Sequence, residues 1–340
     1  MSELWTDVID PATLTGYARE AMADMEARQG TLAQFLPNRE VADIAVRFVA
    51  GAAGLAEEAK FRAYDAEPEM GKGPSGRRVM LELPAIGQNI PVSEYTQLRT
   101  RNASDAAILS SIQTTTKQVV RAVADRMERL RGTVLTTGKA TIDQDNFKVD
   151  DDFGRDGSHT TTANTLWSAG GADPLADLGA WFDLYNTTNG VDAGAIVLSR
   201  KVLRLLANHA QFKTVLAGGG TRPATISEVI ATLEGYGLPQ VVQYDRRTSA
   251  GRVLPEDRVL LLPAPVASND ADGTQLGATF WGQTLTSQES TWGIEESEQP
   301  GIVAGVYRNP KPPMIAEVIS DAIGMPVLAN ANLSLAAKVL

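Results

Sequence analysis

The feature of this sequence that most constrains its fold is a proline-free stretch from Ser104 to Thr137, interrupted only by Gly132. Apolar residues recur along it at the spacing of one helix face. They are Ile108, Ile112, Val119, Val123, Met127, Leu130 and Val134. Asn102 or Ser104 can cap the start of this helix, and Gly138 can end it. A helix of roughly 30 residues would be about 45 Å long, so we expect it to span a domain as a scaffold.

Gly132 allows two interpretations. A glycine inside a helix costs about 1 kcal/mol relative to alanine, so it can mark a weak point at which the helix bends. It can also be a glycine that is tolerated near the end of a helix, and we favour this second interpretation.

A second feature is the segment "PEMGKGPSGRR", from Pro68 to Arg78, which lies between the runs "KFRAYDAE" and "RRVMLELP". The second run alternates, with Val79, Leu81 and Leu83 on one face of a strand. The connection is longer than the two-residue turns of tight hairpins, so we predict a long two-stranded hairpin. A lone two-stranded ribbon is marginally stable in water, and this one therefore needs a partner surface.

The same glycine cluster could be read as a phosphate-binding loop. That loop has the pattern G-x-x-x-x-G-K-[ST] and leads into a helix. Here Gly73 follows Lys72, and the next element is a strand. The cluster Gly218 to Gly220 fails in the same way, so the sequence predicts no phosphate site.

The remaining elements mix helices and strands. "DPATLTGYAREAMADMEA" is amphipathic at helical spacing. Ala195 to Leu198 reads as a buried strand, and Ser199 is placed to cap the helix that follows. "TISEVIATLEGYGLPQVVQYD" predicts a helix and then a strand, and "DRVLLLPAP" predicts another buried strand. Pro84 and Pro91 confine their neighbourhood to a sheet edge.

The C-terminus, "NLSLAAKVL", predicts a final strand that alternates in burial. The residues expected on its buried face are Leu333, Leu335, Ala337 and Val339. Together these elements indicate an α+β fold with one outsized helix and one outsized hairpin.

Composition excludes several function classes. The chain has 340 residues, a net charge of −10 and no cysteine. Disulfide frameworks, thiolate metal sites and cysteine nucleophiles are therefore excluded, and a DNA-reading protein would be expected to carry a basic face. No apolar run approaches the ~20 residues of a membrane helix, so we expect no membrane association.

Metal and catalytic motifs also fail. His159 and His209 are the two histidines, the first expected in a loop and the second at a helix C-terminus. An EF-hand register starting at Asp152 puts Asp156 at position five but leaves position twelve without its glutamate, so we expect a solvated acidic turn there. No G-x-S-x-G motif occurs. We therefore predict no metal, no cofactor and no catalytic residue, and we do not expect an enzyme.

The order of elements resembles the major capsid proteins of tailed bacteriophages, most closely the lambda-type major capsid protein E family. The likeness covers nearly the whole chain. It rests on this layout and on local matches to "LPAIGQNIPVSEY", "MERLRGTVLTTGKATI", "AIVLSRKVLRLLANH" and "PGIVAGVYRNPKPPMIAEVISDAIGMPVL".

The resemblance implies a division of the chain into the family's parts. These are an N-terminal arm (1–54), an extended loop or E-loop (55–98), a peripheral or P domain with the long spine helix (99–150), an axial or A domain (151–302) and closing strands of the P domain (303–340). The hairpin tip would then contact a neighbouring subunit. The tip residues are Met70, Gly71, Lys72, Gly73, Arg77 and Arg78.

The resemblance also implies a function. Copies would self-assemble into hexamers and pentamers of an icosahedral shell that encloses double-stranded DNA without reading its sequence. Partners would be a scaffold protein or protease, a portal and a possible decoration protein, with assembly in the host cytoplasm and a final location in the virion. Two alternatives stay open: an encapsulin-type nanocompartment, which carries enzyme cargo, and a mixed α/β enzyme of unknown reaction.

Overall fold

A computed structural model of the protein describes residues 3–50, 77–100, 105–144, 147–215, 220–270 and 274–340. The helices in these ranges are α1 (Pro11–Gln29), α2 (Glu94–Thr100), α3 (Asp105–Thr137), α4 (Pro174–Asn189), α5 (Arg200–Asn208), α6 (Ile226–Gly235) and α7 (Leu285–Gln288). The α+β class predicted from the sequence is confirmed.

The strands alternate with these helices and in part join segments far apart in sequence. They are β1 (Glu3–Leu4), β2 (Asn38–Glu40), β3 (Ala45–Ala50), β4 (Arg77–Glu82), β5 (Ala85–Val92), β6 (Lys139–Gln144), β7 (Phe147–Asp152), β8 (Thr160–Thr162), β9 (Ala195–Leu198), β10 (Thr214–Val215), β11 (Thr221–Arg222), β12 (Gln240–Gln243), β13 (Arg247–Thr248), β14 (Gly251–Arg252), β15 (Arg258–Leu262), β16 (Gly277–Gly282), β17 (Val303–Arg308), β18 (Ala316–Leu328) and β19 (Leu335–Lys338).

The long helix is confirmed as α3. It ends at Thr137, and Gly138 follows with φ +73°, the left-handed conformation that glycine adopts without strain. The backbone N–H of Gly138 donates to the Val134 carbonyl at 2.8 Å and closes the last turn. The predicted caps Asn102 and Ser104 lie outside the described residues.

The first sheet is built around the long strand β18, in the order β1-β17-β18-β16-β2, with β5 also paired to β18. Helices α1 and α3 pack against it and share a buried apolar cluster with β17 and β18. Helix α1 begins as predicted, since the Asp10 carboxylate accepts from the Thr13 N–H at 2.8 Å. Pro91 lies in β5, which pairs only with β18 among the described strands, so its predicted edge position is confirmed.

The second sheet has the order β12-β9-β15-β19-β8. Strand β9 is buried along its whole length, as its unbroken apolar run predicted. The Ser199 hydroxyl accepts from the Val202 N–H at 3.3 Å and caps α5, which confirms that prediction. Helix α6 starts with a capping box, in which Thr225 and Glu228 each accept from the other's backbone N–H.

The C-terminal prediction was only partly right. Strand β19 exists, but Leu335, Ala336 and Ala337 are all buried, so burial does not alternate. The strand lies between β15 and β8 inside the second sheet, and Leu333 belongs to a preceding 3-10 turn.

Sheet membership also differs from the expected division of the chain. We expected residues 303–340 to close the unit of the long helix, and β17 and β18 do lie in the sheet that α3 contacts. The last strand, β19, instead joins the second sheet, whereas β16, from the range assigned to the A domain, pairs with β18. Each sheet therefore draws strands from distant parts of the chain.

The hairpin prediction needs correction as well. Strand β4, from "RRVMLELP", pairs antiparallel with β3, from Ala45 opposite Glu82 to Ala50 opposite Arg77. We had paired it with the run "KFRAYDAE", which lies outside the described residues. The ribbon therefore begins earlier in the chain than the sequence suggested, within the segment assigned to the N-terminal arm.

The structure gives Gly132 a packing role that neither interpretation included. A Cβ atom at this position would lie 2.5 Å from the carbonyl oxygen of Val253 and 2.8 Å from its Cγ1. The glycine is present because the backbone after β14 approaches α3 too closely for any side chain. The contact fixes the second unit against the helix.

Helix α3 carries two apolar cores in succession. Its first part, including Ile112, Val119 and Met127, packs in the cluster of α1 and the first sheet. Its last turns, from Leu130 to Leu135, pack in the larger cluster built on the second sheet. One helix is thus shared by both units, as expected of a scaffold.

Candidate assembly surface and the junction beneath it

The predicted contact tip is not tested by the structure. Met70, Gly71, Lys72 and Gly73 lie outside the described residues. Arg77 and Arg78 start β4, and only their backbone is described, paired with Ala50 and Val49 of β3. A role for these six residues in contacting a neighbouring copy stays a prediction.

The foot of the ribbon has one buried and one exposed face. Val46 lies opposite Leu81, and both belong with Leu83 to the larger core. Met80 is 59% exposed on the other face, and Ile44 beside the ribbon is 57% exposed. Among the described strands, the ribbon forms a separate two-stranded sheet. Apolar groups on such an isolated ribbon favour a contact with another surface.

Two further ribbons expose apolar side chains. Phe147 at the start of β7 is 42% exposed, and Val215 at the end of β10 is 74% exposed. The ribbon β6–β7 also corrects a prediction, because Asp150 to Asp152 lie in a strand rather than in a turn. Lys139 pairs with Asp152 at 2.7 Å across this ribbon.

Beneath these surfaces, charged side chains are buried where the two cores meet. Arg131 of α3 is 1% exposed and donates to the Glu26 carboxylate at 2.8 Å and to the Glu128 carboxylate at 3.1 Å. It also donates to Asn38 Oδ1 at 2.5 Å and to the Thr279 hydroxyl at 2.9 Å. The guanidinium therefore joins α1, α3, β2 and β16.

Glu128 extends this network to the second sheet. Its carboxylate accepts from the Leu32 backbone N–H at 2.8 Å and from the Tyr244 hydroxyl at 2.5 Å. Tyr244 follows β12, so the contact ties the second sheet to the long helix. Arg246 lies 3.8 Å from the same carboxylate and pairs with Asp125 at 2.9 Å. We call the set Glu26, Glu128, Arg131, Tyr244 and Arg246 the buried junction.

Within the buried junction, the charges of Glu128 and Arg131 favour the ionised state of each other. Burial alone would raise the pKa of Glu128, but Arg131, the Tyr244 hydroxyl and the Leu32 N–H together hold it below its usual value. Burial opposes the charge of Arg131, yet Glu26 and Glu128 raise its pKa. Burial and the neighbouring Glu128 raise the pKa of Tyr244, so it stays a hydrogen-bond donor. Removing one partner would leave an uncompensated buried charge, which is strongly destabilising.

Sequence analysis missed the buried junction, although a signal was present. Val120, Ala124 and Leu135 are buried on one stripe of α3, and Glu128 and Arg131 occupy the intervening positions of that stripe. Charged residues inside an apolar stripe at helical spacing indicate buried ions that need partners.

A groove of about 800 Å³ lies between α1, β2 and Trp281, and it is where a catalytic site would be sought. Its Glu26 is committed to Arg131. Its Arg19 donates to the backbone carbonyls of Glu298, Pro300 and Ile302. Of the two carboxylates that line the groove, Glu26 and Glu40, the first is therefore taken up in a structural ion pair.

The two histidines have separate structural roles. His209 caps the end of α5, as predicted, and its Nδ1 accepts from the Gln211 N–H at 3.4 Å. His159 was expected in a loop; it ends a 3-10 turn and is fully buried. Within the described ranges, no group of three or more His, Cys, Asp or Glu side chains is arranged to hold a metal ion.

The long helix α3 does not qualify as a membrane span, and neither does any other helix in the ranges that the structure describes.

This chain matches known proteins in the comparison of three-dimensional structures and not in the two comparisons of sequence. No protein-family model matches the sequence, and a search of curated proteins finds no match. A solved protein assigned as the prophage capsid protein of Escherichia coli CFT073 superposes over 100% of both chains, with a TM-score of 0.64 and 14% identity. This chain has the phage capsid-protein fold.

A second solved structure extends the likeness. A phage-related protein from Bordetella bronchiseptica RB50 matches over 96% of each chain, with a TM-score of 0.57 and 15% identity. Both superpositions cover nearly the whole chain. The predicted fold class is therefore confirmed, although sequence identity is too low to carry residue roles from either protein.

Proposed function

We propose that this chain is a capsid-type shell protein, whose copies assemble into hexamers and pentamers of an icosahedral shell around double-stranded DNA. The observation that carries the proposal is the end-to-end match to the E. coli CFT073 prophage protein, with 100% coverage of both chains. A shell role needs the whole fold, because every part of a shell subunit faces a neighbour or the enclosed space. We place the chain among lambda-type capsid proteins within this proposal.

The parts of the fold are assigned accordingly. The first sheet with α1 and α3 is the P domain, and the second sheet with α4, α5 and α6 is the A domain. The ribbon β3–β4 is the base of the E-loop, which reaches a neighbouring copy through its tip. Support comes from the ribbon's exposed Met80 and Ile44, which a single copy leaves uncovered.

The charge of the chain suits DNA enclosure. With 41 acidic and 31 basic residues, the chain as a whole is negatively charged and repels phosphate. Basic proteins bind DNA because their cations displace the counterions of the phosphates. A negatively charged wall does not displace them, so a packaged duplex can slide along it. The partners in this proposal are the chain itself, a scaffold or protease, a portal and a decoration protein, with assembly in the host cytoplasm and no catalysis.

During maturation of the shell, the A domain and the P domain would each move as a rigid body. Helix α3 passes from one core to the other at the buried junction, so a rotation of the A domain against the P domain acts there. The contact of Gly132 with Val253 lies one residue beyond Arg131. Junction and contact together would resist bending until packaging supplies the work.

The proposal is tested by producing the chain with and without the neighbouring genes of its own genome. Sedimentation velocity and negative-stain microscopy then determine whether closed shells form, and nuclease treatment determines whether they protect DNA. We expect shells, with nuclease-resistant DNA when the packaging genes are present.

Two outcomes would contradict the proposal in different ways. Shells that contain an enzyme and never DNA would favour an encapsulin-type nanocompartment. A chain that stays monomeric under every assembly condition would favour the α/β enzyme and remove the shell role altogether.

A further inference from the structure

A cavity of about 490 Å³ on the second sheet is lined only by charged side chains. They are Arg200, Lys201, Arg204, Asp245, Arg252 and Glu256. The four cations outnumber the two carboxylates, so the cavity is positive in a chain whose net charge is −10. We call it the basic cavity.

The two carboxylates organise the cations of the basic cavity. Arg252 lies 3.2 Å from Asp245 and 2.9 Å from Glu256. Lys201 pairs with Glu256 at 2.8 Å. The hydrogen bond from Lys201 and the charge of Arg252 lower the pKa of Glu256, so this carboxylate stays ionised. The cations are thus held in place and are not all neutralised.

Positive charge remains available to a ligand. The side chains of Arg200 and Lys201 are 57% and 56% exposed. Arg204 is exposed, and its side chain has no partner among the described residues. The start of α5 is not itself the binding group, because Ser199 and Asp245 already accept from its backbone N–H groups. The ligand would therefore be bound by side chains.

A matching acidic segment lies elsewhere on the chain. Glu289, Glu295 and Glu296 are exposed, and no described cation pairs with any of them. By contrast, Asp143 and Asp152 of the ribbon β6–β7 have lysine partners. We call residues 289–298 the acidic turn.

The acidic turn is held rigidly. Trp292 is 3% exposed, and its ring packs so closely on Gly305 that a Cβ atom there would lie 2.5 Å away. Arg19 donates to the backbone carbonyls of Glu298 and Pro300 from beneath. The backbone of the turn is therefore ordered before binding, so that binding has to order the glutamate side chains alone.

We infer that the acidic turn of one copy docks in the basic cavity of the next copy. Cavity and turn belong to different sheets, so the contact joins two unlike patches. Such heterologous contacts generate rings when the rotation closes, as hexamers and pentamers require. The inference rests on the proposed shell function and names a contact within its rings.

Duplex DNA is the less suitable ligand for the basic cavity. Binding a duplex requires cations spaced along a line of phosphates. Here the cations converge on one concavity that also contains Asp245 and Glu256, which would repel phosphate. A glutamate side chain can enter singly and accept from an arginine fork.

Charge reversal with rescue tests the contact. Arg200→Glu with Arg204→Glu reverses the net charge of the cavity, and Glu295→Arg with Glu296→Arg places two cations in the acidic turn. Like charges across an interface repel each other, so either pair should lower the assembled fraction by about tenfold or more. The four changes together should restore assembly to within about threefold of wild type, because the two arginines introduced in the turn can pair with the two glutamates introduced in the cavity.

A matched control separates the contact from net charge. The control pair is Glu20→Arg with Glu234→Arg. Both glutamates are exposed and lie outside the acidic turn, and the pair changes the net charge of the chain by as much as Glu295→Arg with Glu296→Arg does. Added to the reversed cavity, this control pair should not rescue assembly. Arg204→Glu alone is the second variant, since that side chain has no described partner to lose, and circular dichroism confirms the fold of each variant.

The outcomes separate the two proposals. If the wild-type chain forms shells but the four changes together do not restore assembly, the contact is wrong and the shell function stands. The same conclusion follows if the control pair restores assembly equally well. Reversed cavities that assemble normally but retain less DNA would overturn it in favour of a nucleic-acid site. A wild-type chain that never assembles would remove the shell function and this contact with it.

Discussion

Gly132 shows how a single residue can fix two units of the fold against each other. Its helix position would favour alanine by about 1 kcal/mol on propensity alone. The backbone of Val253 occupies the space that a Cβ atom would need, at 2.5 Å from its carbonyl oxygen. Packing therefore outweighs propensity at this site.

Replacing Gly132 with alanine should destabilise the chain by about 1–3 kcal/mol, the usual cost of overpacking. The matched control is Gly16→Ala in α1, where nothing lies within 4 Å of a new Cβ atom. That change should stabilise by up to about 1 kcal/mol. Urea unfolding of the unassembled chain measures both, and equal effects of the two changes would refute the packing argument.

His159 gives a pH dependence at the residue scale. Burial lowers its pKa from the ordinary value of about 6.5, although Asp156 partly opposes the shift and Arg155 adds to it. The folded chain therefore keeps this imidazole neutral, while the unfolded chain takes up a proton below about pH 6.5. Stability should be fully present above that pH and should fall as the pH drops toward the lowered value.

The substitution His159→Phe should therefore reduce this slope. The slope cannot exceed about 1.4 kcal/mol per pH unit for a single group. Melting temperatures between pH 7 and pH 5 measure it, and an unchanged slope in His159→Phe would contradict the assignment.

Residue-scale prediction from sequence worked where one local rule decided the outcome. Ser199 and Gly138 were recognised because capping depends on a few adjacent backbone groups. Glu128, Arg131 and Gly132 were not, because their neighbours come from α1, β16 and the segment after β14. Only the folded chain brings those partners together.

At the scale of elements, the buried junction connects the two sheets through α3. Arg131→Met removes the cation that Glu26 and Glu128 share, and leaves two buried carboxylates with less compensation. We expect a loss of about 3–5 kcal/mol. Arg121→Met on the same helix is the control, since Arg121 is 63% exposed and pairs with Asp125 at 3.7 Å.

The control should cost no more than about 0.5 kcal/mol, as is usual for exposed helix pairs. Chemical denaturation followed by far-UV circular dichroism measures both variants. A loss in Arg131→Met no larger than in Arg121→Met would mean that the junction does not hold the units together.

A second prediction concerns the ribbon β3–β4, in which the adjacent residues Met80 and Leu81 lie on opposite faces. Leu81 is buried, so Leu81→Ala should lower stability by about 2–5 kcal/mol. Met80 is exposed, so Met80→Glu should change the stability of the unassembled chain by less than about 0.5 kcal/mol. If the ribbon contacts a neighbouring copy, the same Met80→Glu change should sharply lower the yield of shells.

Size-exclusion chromatography separates shells from the unassembled chain, and thermal melts of the latter complete the comparison. Normal shell yield with Met80→Glu would argue that this face of the ribbon lies outside every contact.

Helices and strands could be predicted where the pattern lies within one continuous segment. The pairing of strands from distant segments could not. Helix α3 and strand β9 carry patterns complete within their own residues. The partner of β4 could not be chosen from sequence, because β3 and the run "KFRAYDAE" are both compatible with an antiparallel strand. Likewise, the pattern of "NLSLAAKVL" is compatible with a strand buried on one face or on both faces. The strand is buried on both faces because it lies between β15 and β8.

In the whole molecule, two sheets and isolated ribbons are joined to one shared helix, and we propose that this chain contacts copies of itself. The fold class could be predicted because the order of elements is itself a pattern. The contact surfaces could not, since they depend on which charged groups remain unpaired after folding, as in the basic cavity and the acidic turn.

The most direct test of the central claim is cryo-electron microscopy of the purified full chain after assembly. The account predicts closed shells in which this subunit fits around fivefold and sixfold positions, with ribbon β3–β4 lying on a neighbouring copy. A compact monomer at all concentrations, with Met80 and the basic cavity open to solvent, would contradict it.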